Sequence, residues 1–282
     1  MLAQQVLNGL FLGAVYALFA VGYTLVFGVL DILNLAHAAI FTAAAFTAFS
    51  LAEGAMPLWA AFVVATLVAG VLGILLDRDA FAPLISSIGV AIIIGAVLRA
   101  VYGVDERHFT TAGLDSAPAI HLGPVTFTSV ELAIFLSAIA LMVVLSWILR
   151  ATTLGRRIRA VAEDRLAAAL LGVNLERTIA ATFFIASGLG GAAGIITGLE
   201  YNSVTLDMGA PIELKGLAVI ILGGMGSVTG AVIGGVIIGA VETFAIAYGL
   251  SPWRDALVFG VMFALLIARP SGLFGKRALR QA

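Results

Sequence analysis

The sequence lacks cysteine altogether and carries few charged residues for its length. Its 282 residues include no Cys, and Asp, Glu, Lys and Arg together make up 11% of the chain. The absence of cysteine excludes a disulfide framework and thiolate metal sites. A charged fraction this low excludes an ordinary soluble domain, in which roughly a quarter of the residues are charged. The formal net charge of −1 gives no indication of a nucleic-acid partner.

The chain also lacks a phosphate-binding loop and the residue sets of common enzymes. The segment nearest to GxxxxGK[ST] is GLFGKR from Gly272, which is too short and has no final hydroxyl. No Ser/His/Asp set or carboxylate pair indicates an enzyme. No second His, Cys or Glu lies at metal-ligand spacing from His37. We therefore expect no catalytic site, no metal and no other cofactor.

Long apolar runs are what the chain has instead, with 62% hydrophobic residues. Several runs reach the ~20 residues that cross ~30 Å of hydrocarbon as a helix, and they are continuous rather than alternating, which favours helices over a β-barrel. The sequence predicts an all-α, polytopic transmembrane helix bundle in a single domain, residues 1–282, with eight or nine crossings left open. Candidate spans are 6–30, 34–52, 56–76, 83–102, 129–149, 178–199 and 252–268, with 211–248 too long for one span.

One long stretch, residues 150–177, is both polar and basic, and it divides the spans of 1–149 from the spans and tail of 178–282. Arginine side chains collect on the cytoplasmic side of membrane proteins. If this stretch is cytoplasmic, eleven basic residues fall inside and four outside, with the N-terminus outside and the C-terminus inside. The inside set is Arg78, Arg150, Arg156, Arg157, Arg159, Arg165, Arg177, Arg269, Lys276, Arg277 and Arg280, and the outside set is Arg99, Arg107, Lys215 and Arg254.

Small residues recur at helix-packing spacing in three segments. Such stripes let helix backbones approach closely in lipid, so we expect tight packing at each. The stripes are Gly9, Gly13 and Ala17; Gly190, Gly194 and Gly198; and Gly226, Gly230 and Gly234, with Gly235 and Gly239 beside the last.

A few polar or helix-breaking residues fall inside the apolar runs. Asn34 and His37, three apart, would share one helix face, either as a cap and an interhelical hydrogen-bond donor or as a pore contact. Glu242 is a functional candidate unless it reaches the membrane interface. Gly223, Gly224 and Gly226 would break a helix, either as a path-lining or re-entrant element or as a hairpin turn. Glu200, Asp207 and Glu213, with Lys215, are expected at the outer surface.

The basic stretch itself has helical periodicity. Ile158, Val161 and Ala162 fall on one face, with Arg156, Arg159 and Glu163 opposite. A second apolar turn, 166–171, ends at Gly172. The pattern predicts two short helices that project from the membrane; the alternative is a solvated loop with snorkelling arginines.

The text GRRIRAVAEDRLAAALLGVNLERT resembles the coupling segment of ABC-transporter permeases, specifically the branched-chain amino acid permease family. NLAHAAIF, LISSIGVAII and ELKGLAVIILGGMGSVTGAVIGGVIIGAVE are similar to the same family in the same order. The resemblance implies that one set of residues fits a cleft of a cytoplasmic ATP-binding subunit: Gly155, Arg159, Ala160, Glu163, Asp164, Ala168 and Gly172.

The resemblance also implies two signatures on the spans. One covers Asn34, Ala36 and His37; the other covers Lys215, Gly223, Gly224, Gly226, Gly230, Gly234, Gly235 and Glu242. The sequence departs from the family at Ala38, where Gly usually follows the histidine, and at 77–83, which lacks the usual basic stretch. From both signatures we expect these residues along the translocation path: Asn34, His37, Gly223, Gly224, Gly226 and Glu242.

The resemblance implies a permease subunit of an ATP-driven importer in the bacterial inner membrane. Implied partners are cytoplasmic ATP-binding subunits, a second permease subunit, an extracytoplasmic solute-binding protein and membrane lipid. Branched-chain amino acids are the implied substrate, with urea, short amides and other amino acids left open. The rivals are a structural or receptor subunit and an ATP-independent transporter or channel. The latter would be indicated by paired intramembrane charges or an inverted repeat, and neither is evident from the sequence.

Overall fold

The computed structural model describes residues 2–77, 83–109, 119–122 and 125–275. The expectations for Arg78 and the short turn around it, and for the tail residues Lys276, Arg277 and Arg280, lie outside the described residues. Helices dominate these ranges, as the apolar runs predict. Seven of the helical segments are long and apolar enough to cross a membrane.

The helices occur in two series separated by the basic stretch, with two paired β-strands, residues 119–122 and 125–128, in the first series. They are α1 (Leu2–Leu30), α2 (His37–Glu53), α3 (Leu58–Asp77), α4 (Pro83–Tyr102), β1 (Ala119–Leu122), β2 (Val125–Thr128), α5 (Ser129–Ala151), α6 (Thr153–Glu163), α7 (Arg165–Leu170), α8 (Leu175–Glu200), α9 (Gly209–Gly223), α10 (Val228–Ala247) and α11 (Arg254–Ala268). The run 211–248 is therefore two helices joined by a short turn. The antiparallel β-hairpin is a small addition to the predicted all-α fold.

Helices α1 and α8 form the centre of the bundle. In the most apolar part of each helix, 83% of the residues of α1 and 72% of those of α8 are buried within the chain. The corresponding share is 11% for α4 and 6% for the segment that contains α11. Helices α4 and α11 therefore lie at the periphery, where lipid or another subunit would cover them. Large buried side chains such as Tyr16, Phe19 and Phe41 fill the centre.

Close packing through small residues is confirmed between α1 and α10. A Cβ atom added to Gly13 would lie 2.8 Å from the Cα of Val236, and one added to Gly235 would lie 2.5 Å from the amide nitrogen of Ala17. These separations are too short for a side chain, so the two backbones touch. Close approach of this kind replaces the hydrophobic drive that lipid removes.

The other two stripes are confirmed with one exception. On α8, Gly190 faces the ring of His37 and Gly194 faces the backbone of Phe41. On α10, Gly234 faces the Val219 carbonyl of α9. Gly226 is the exception: it lies in the turn before α10, with nothing within 4 Å of an added Cβ, so its predicted packing role is wrong.

The two ends of the bundle carry different structures. At one end, the turn between α9 and α10 approaches Gly28 near the end of α1, and the Leu273 amide donates to the Leu222 carbonyl at 2.9 Å. Helices α6 and α7 pack at this same end, which we call the knob end. At the opposite, hairpin end, the Gln4 side chain donates to the Thr126 carbonyl at 2.8 Å.

The described helices pass between these ends nine times, through α1 to α5 and α8 to α11. The passes of α2 (17 residues) and α9 (15 residues) are completed by non-helical chain, whereas the 15 residues of α11 are extended by a 3-10 turn at Ser251–Trp253. A 15-residue helix is about 22 Å long, shorter than the hydrocarbon layer. An odd number of passes places residues 2 and 275 at opposite ends, as the sequence predicts for the two termini.

Candidate functional site

The basic stretch folds into two capped helices that we call the docking knob, residues 153–172. The Thr152 hydroxyl accepts a hydrogen bond from the Gly155 amide at 3.1 Å, and the Asp164 carboxylate accepts one from the Ala167 amide at 2.9 Å. Both are N-cap interactions. Gly172, with a φ of +83°, ends the knob in a conformation that favours glycine. The prediction of two short helices is confirmed.

The knob is fixed to the end of α1. Ile158, Val161 and Ala168 are buried against Val29. The Arg165 guanidinium donates two hydrogen bonds to the Val29 carbonyl, from Nε at 3.1 Å and from Nη2 at 2.7 Å. This carbonyl lies in the last turn of α1 and has no partner within the helix, so a cationic donor suits it. A displacement of the knob would therefore move α1.

Three leucines on the far side of the knob face outward. Leu166, Leu170 and Leu171 are 73%, 81% and 83% exposed. Exposed apolar side chains clustered among charged ones are typical of a surface that contacts another protein or a membrane. The sequence predicts an apolar turn here. It does not indicate that Ala168 is the buried residue of this turn and that the leucines are exposed.

The structure divides the predicted coupling residues into two groups. Gly155 and Ala168 are buried and Ala160 is half-buried, so these small residues let the knob pack onto the bundle. The others lie on the exposed surface: Arg159, Glu163, Asp164 and Gly172. The helical faces are also as predicted, except that Ala162 is exposed rather than buried with Ile158 and Val161.

The chain between α1 and α2 is interrupted inside the bundle. Asp31 has a φ of +55°, which ends α1, and the Asn34 carboxamide oxygen accepts from the Ala36 amide at 3.1 Å. Helix α2 starts only at His37. The predicted shared helix face of Asn34 and His37 is therefore wrong, because Asn34 forms a local turn before the helix begins.

His37 lies in the interior of the bundle, packed against Gly22 of α1 and Gly190 of α8. The Phe19 and Tyr23 rings contact its ring, with centroids at 4.7 and 5.3 Å. The Phe19 backbone is a polar neighbour of the ring, but neither ring nitrogen makes a hydrogen bond of normal geometry to a described residue. A helix start and a histidine thus lie together at the bundle centre.

A network of charged residues joins α1, α9, α10 and α11. The Lys215 ammonium donates to Glu242 Oε1 at 2.6 Å, and the Tyr16 hydroxyl donates to Glu242 Oε2 at 2.7 Å. The ammonium also lies 3.4 Å from Asp255 Oδ1, and Arg254 Nε lies 3.8 Å from Glu242 Oε1. Both carboxylate oxygens of Glu242 are therefore satisfied.

This network corrects the expected position of Lys215 and excludes one of the two alternatives left open for Glu242. Lys215 is 6% exposed and belongs to the interior rather than to the outer surface. Glu242 is 3% exposed, so it does not simply reach the interface. A paired intramembrane charge that the sequence did not reveal is present, because its partners lie on different helices.

The glycines between α9 and α10 form a hairpin turn at the knob end. Gly224 has a φ of +102° and Gly226 a φ of +80°, and the Phe274 amide donates to the Gly223 carbonyl at 2.9 Å. Of the two interpretations left open for this segment, the structure has the hairpin turn. These glycines do not meet Glu242 or the His37 region, so the residues expected along the path occupy three separate places.

Seven long apolar helices, broken spans and a buried ion pair define a multi-pass membrane protein, and the knob gives it an exposed apolar surface. Transporters commonly combine interrupted helices with charged groups at membrane depth. Comparison with known protein families shows which kind of membrane protein this chain is.

The family described as "Branched-chain amino acid transport system / permease component" matches residues 5–266. The high-affinity branched-chain amino acid transport system permease protein LivH of Salmonella typhimurium is 30% identical over 97% of this chain and 95% of its own. BraD of Pseudomonas aeruginosa, described in the same words, gives the same three figures. The autoinducer 2 import system permease protein LsrC of Klebsiella pneumoniae is 28% identical over 44% of this chain and 38% of its own.

The chain belongs to the family of branched-chain amino acid transport system permease components. It is a permease subunit of an ABC importer and a multi-pass inner-membrane protein, not an enzyme. As a component of a transport system it works with further subunits. The family resemblance of the sequence is confirmed over nearly the whole chain.

Proposed function

We propose that this permease imports branched-chain or related amino acids, using ATP hydrolysed by a separate cytoplasmic subunit. The observation that carries the proposal is the docking knob, whose leucines are exposed and whose inner side is fixed to α1 through Arg165 and Val29. An apolar helix face set among charges fits a groove of a partner protein. Closure of the ATP-binding subunits would push the knob and so tilt α1 and the helices packed on it.

The orientation that this mechanism needs places the knob end in the cytoplasm. The exposed arginines of the knob support it, since arginine favours that side. Residue 2, at the opposite end, would then face outward. There the β-hairpin and the loop bridged by Arg107 and Val204 would receive substrate from an extracytoplasmic binding protein.

A second, related permease subunit would complete the translocation path. The peripheral helices α4 and α11 are candidate surfaces for it, because few of their residues are buried within this chain. Arg254 and Asp255, at the start of α11, are partly exposed and join the interior network to that surface. The proposed path would run beside the interrupted segment before α2 and beside Glu242.

The amino-acid substrate is proposed from the relatives. LivH and BraD are described as branched-chain amino acid permeases and match over almost the full chain, whereas LsrC, of an autoinducer 2 system, matches over less than half. Leucine, isoleucine and valine are therefore the first substrates to test. Urea, a short amide and another amino acid are the comparison substrates.

An ATP-independent transporter is the competing function, and the Lys215–Glu242 pair is the observation that favours it. The pair is nevertheless buried, and Tyr16 donates a further hydrogen bond to Glu242. This arrangement fits a structural ion pair that holds helices together as well as it fits a charge that takes part in transport. Leucine uptake by cells that express the complete system distinguishes the ATP-driven importer from the ATP-independent transporter. The importer loses leucine uptake when ATP is depleted and keeps it when the proton gradient alone is collapsed.

Co-purification tests the subunit composition. Affinity purification of the tagged chain in mild detergent should recover ATP-binding subunits in a fixed ratio. Recovery of a stable chain without them, together with uptake that survives ATP depletion, would overturn the proposal.

A further inference from the structure

Two carboxylates on neighbouring helices at membrane depth have opposite surroundings. Glu242 receives hydrogen bonds from both Lys215 and Tyr16. Glu213, two residues before that lysine, has an Oε1 atom that is shielded from solvent and has no donor among the described residues. The Lys215 ammonium is paired with Glu242 and Asp255, and none of the described residues forms an ion pair with Glu213.

Glu213 lies where α9 begins inside the bundle. The first residue of the helix, Gly209, packs against the Ala38 carbonyl and the Thr42 hydroxyl, which belong to the first turns of α2. Glu213 follows one helical turn later, toward the knob end. Helix starts buried in a membrane protein are tolerated where they line a cavity or a path.

Tyr23 supplies a second unsatisfied polar group near this carboxylate. The Tyr23 side chain is 1% exposed, and its hydroxyl makes no hydrogen bond to a described residue. Both residues lie beside Phe19: the Tyr23 and Phe19 ring centroids are 6.0 Å apart, and Gly216, three residues after Glu213 on α9, packs against the same ring. Because a buried polar group without a partner costs free energy, two of them in one region indicate a missing polar occupant.

An ammonium group fits this pair. A carboxylate is an acceptor for charged N–H donors, a hydroxyl oxygen accepts another, and a tyrosine ring attracts cations. An ammonium would also neutralise a carboxylate that has a shielded oxygen and no ion pair within the part of the chain that the structure describes. A carboxylate or phosphate ligand would instead be repelled.

We propose that Glu213 and Tyr23 bind the ammonium group of the transported amino acid as it passes the start of α9. The inference rests on the proposed function for the identity of the cargo. Glu213 Oε1 accepts one N–H hydrogen bond and the Tyr23 hydroxyl oxygen accepts another. The site would favour substrates with a free amino group over carboxylic acids of the same shape.

The absence of cysteine from the chain allows a single reporter thiol. Ala210 is exposed and lies three residues before Glu213, so Ala210→Cys places the thiol one turn from the carboxylate. The assembled transporter in lipid nanodiscs is treated with a cationic aminoethyl or an anionic sulfonatoethyl methanethiosulfonate. The modified fraction of this chain is measured over time by mass spectrometry. We compare the rate of thiol modification by the cationic reagent with the rate by the anionic reagent. We expect Glu213→Gln to lower the ratio of these two rates about tenfold.

Ligand protection is the second measurement. Isopentylammonium, which is leucine without its carboxylate, should slow modification of the reporter, whereas 4-methylpentanoate should not. Glu213→Gln should abolish this protection, and Tyr23→Phe, which keeps the ring, should weaken it several-fold. Asp207→Asn is the matched control, since it removes an exposed carboxylate three residues on the other side of Ala210; protection should survive it.

The outcomes separate the site from the proposed function. Protection that is absent in the parent, that persists in Glu213→Gln, or that 4-methylpentanoate gives equally would overturn the ammonium site. An unchanged rate ratio in Glu213→Gln would do the same. ATP-driven leucine uptake by the parent transporter is measured alongside: uptake without protection contradicts only the site, and protection without uptake contradicts only the proposed function.

Discussion

The Lys215–Glu242 pair shows how one residue holds several helices together. Both side chains are almost fully buried, and Tyr16 completes the hydrogen bonds. Removing one charge of a buried pair costs about 3–5 kcal/mol. Without Glu242, the Lys215 ammonium keeps only the more distant and exposed Asp255 carboxylate, at 3.4 Å. Replacing both charges by apolar groups of similar volume avoids that cost.

We therefore expect Glu242→Gln to lower the free energy of unfolding by about 3 kcal/mol. The double variant Lys215→Met with Glu242→Leu should recover most of the loss. A denaturant titration of the purified complex, followed by tryptophan fluorescence, measures both. Equal destabilisation by the single and double variants would show that the pair contributes through geometry rather than charge.

Gly172 sets the end of the docking knob through its backbone. Its φ is +83° and no atom lies within 4 Å of an added Cβ, so a substitution there is penalised by conformation and not by contact. Gly172→Ala should cost about 1 kcal/mol and reduce substrate-stimulated ATPase activity. Gly172→Asn should retain more of it, because asparagine adopts this conformation more readily. Equal loss in both variants would point to a direct contact with the partner.

The sequence was least informative about which charged residues form ion pairs with each other. Lys215 was expected at the outer surface together with Glu200, Asp207 and Glu213, and its partner Glu242 lies 27 residues away on another helix. Nothing in local spacing connects them. Glu242 itself was recognised as a candidate, because an ionisable residue inside an apolar run is unusual whatever its partner.

At the scale of helices, the α1–α10 contact depends on glycine. A side chain at Gly13 would enter the backbone of α10, whereas an added Cβ at Gly260 on α11 meets nothing within 4 Å. Gly13→Leu should therefore destabilise the bundle by about 3 kcal/mol or prevent assembly, and Gly260→Leu should be nearly neutral. Thermal melting of the purified chain compares them. Matching melting points for the two variants would contradict the close contact.

The docking knob gives the element-scale prediction for coupling. Leu170→Asp places a charge on the exposed apolar face and should abolish recovery of the ATP-binding subunits, while the chain keeps its melting point. Val104→Asp, at an exposed position of the opposite end, is the matched control. Loss of the ATP-binding subunits from the Val104 variant as well would show that the effect is not specific to the knob.

The helices themselves were largely predictable from the sequence. Apolar length placed α3, α4 and α5 within a few residues, because lipid requires continuous apolar helix. The start of α2 was missed, and the position of the start of α9 inside the bundle was not predicted. Helix α2 begins at His37 and not at Asn34, since Asn34 bonds the chain locally. Helix α9 begins inside the bundle, where its first glycine packs against α2, a tertiary contact that no local pattern reports.

For the whole molecule, nine passes place residue 2 and the described C-terminal segment at opposite ends. The knob, the α9–α10 turn and residues 269–275 share one end. In the proposed mechanism, a force applied to the knob would reach α1 through Arg165. Fusing a reporter that is active only in the cytoplasm to residue 282 should give signal, and the same reporter at residue 1 should give none; the reverse pattern would contradict the proposed orientation.

The central claim is that ATP hydrolysis by a partner drives amino-acid import through this chain. The most direct measurement is uptake of radiolabelled leucine into proteoliposomes that contain the complete transporter and its binding protein, with no ion gradient. We expect uptake with ATP on the knob side, none with a non-hydrolysable analogue, and none with Leu170→Asp. Leucine uptake of equal rate without ATP, driven by an ion gradient, would contradict the account.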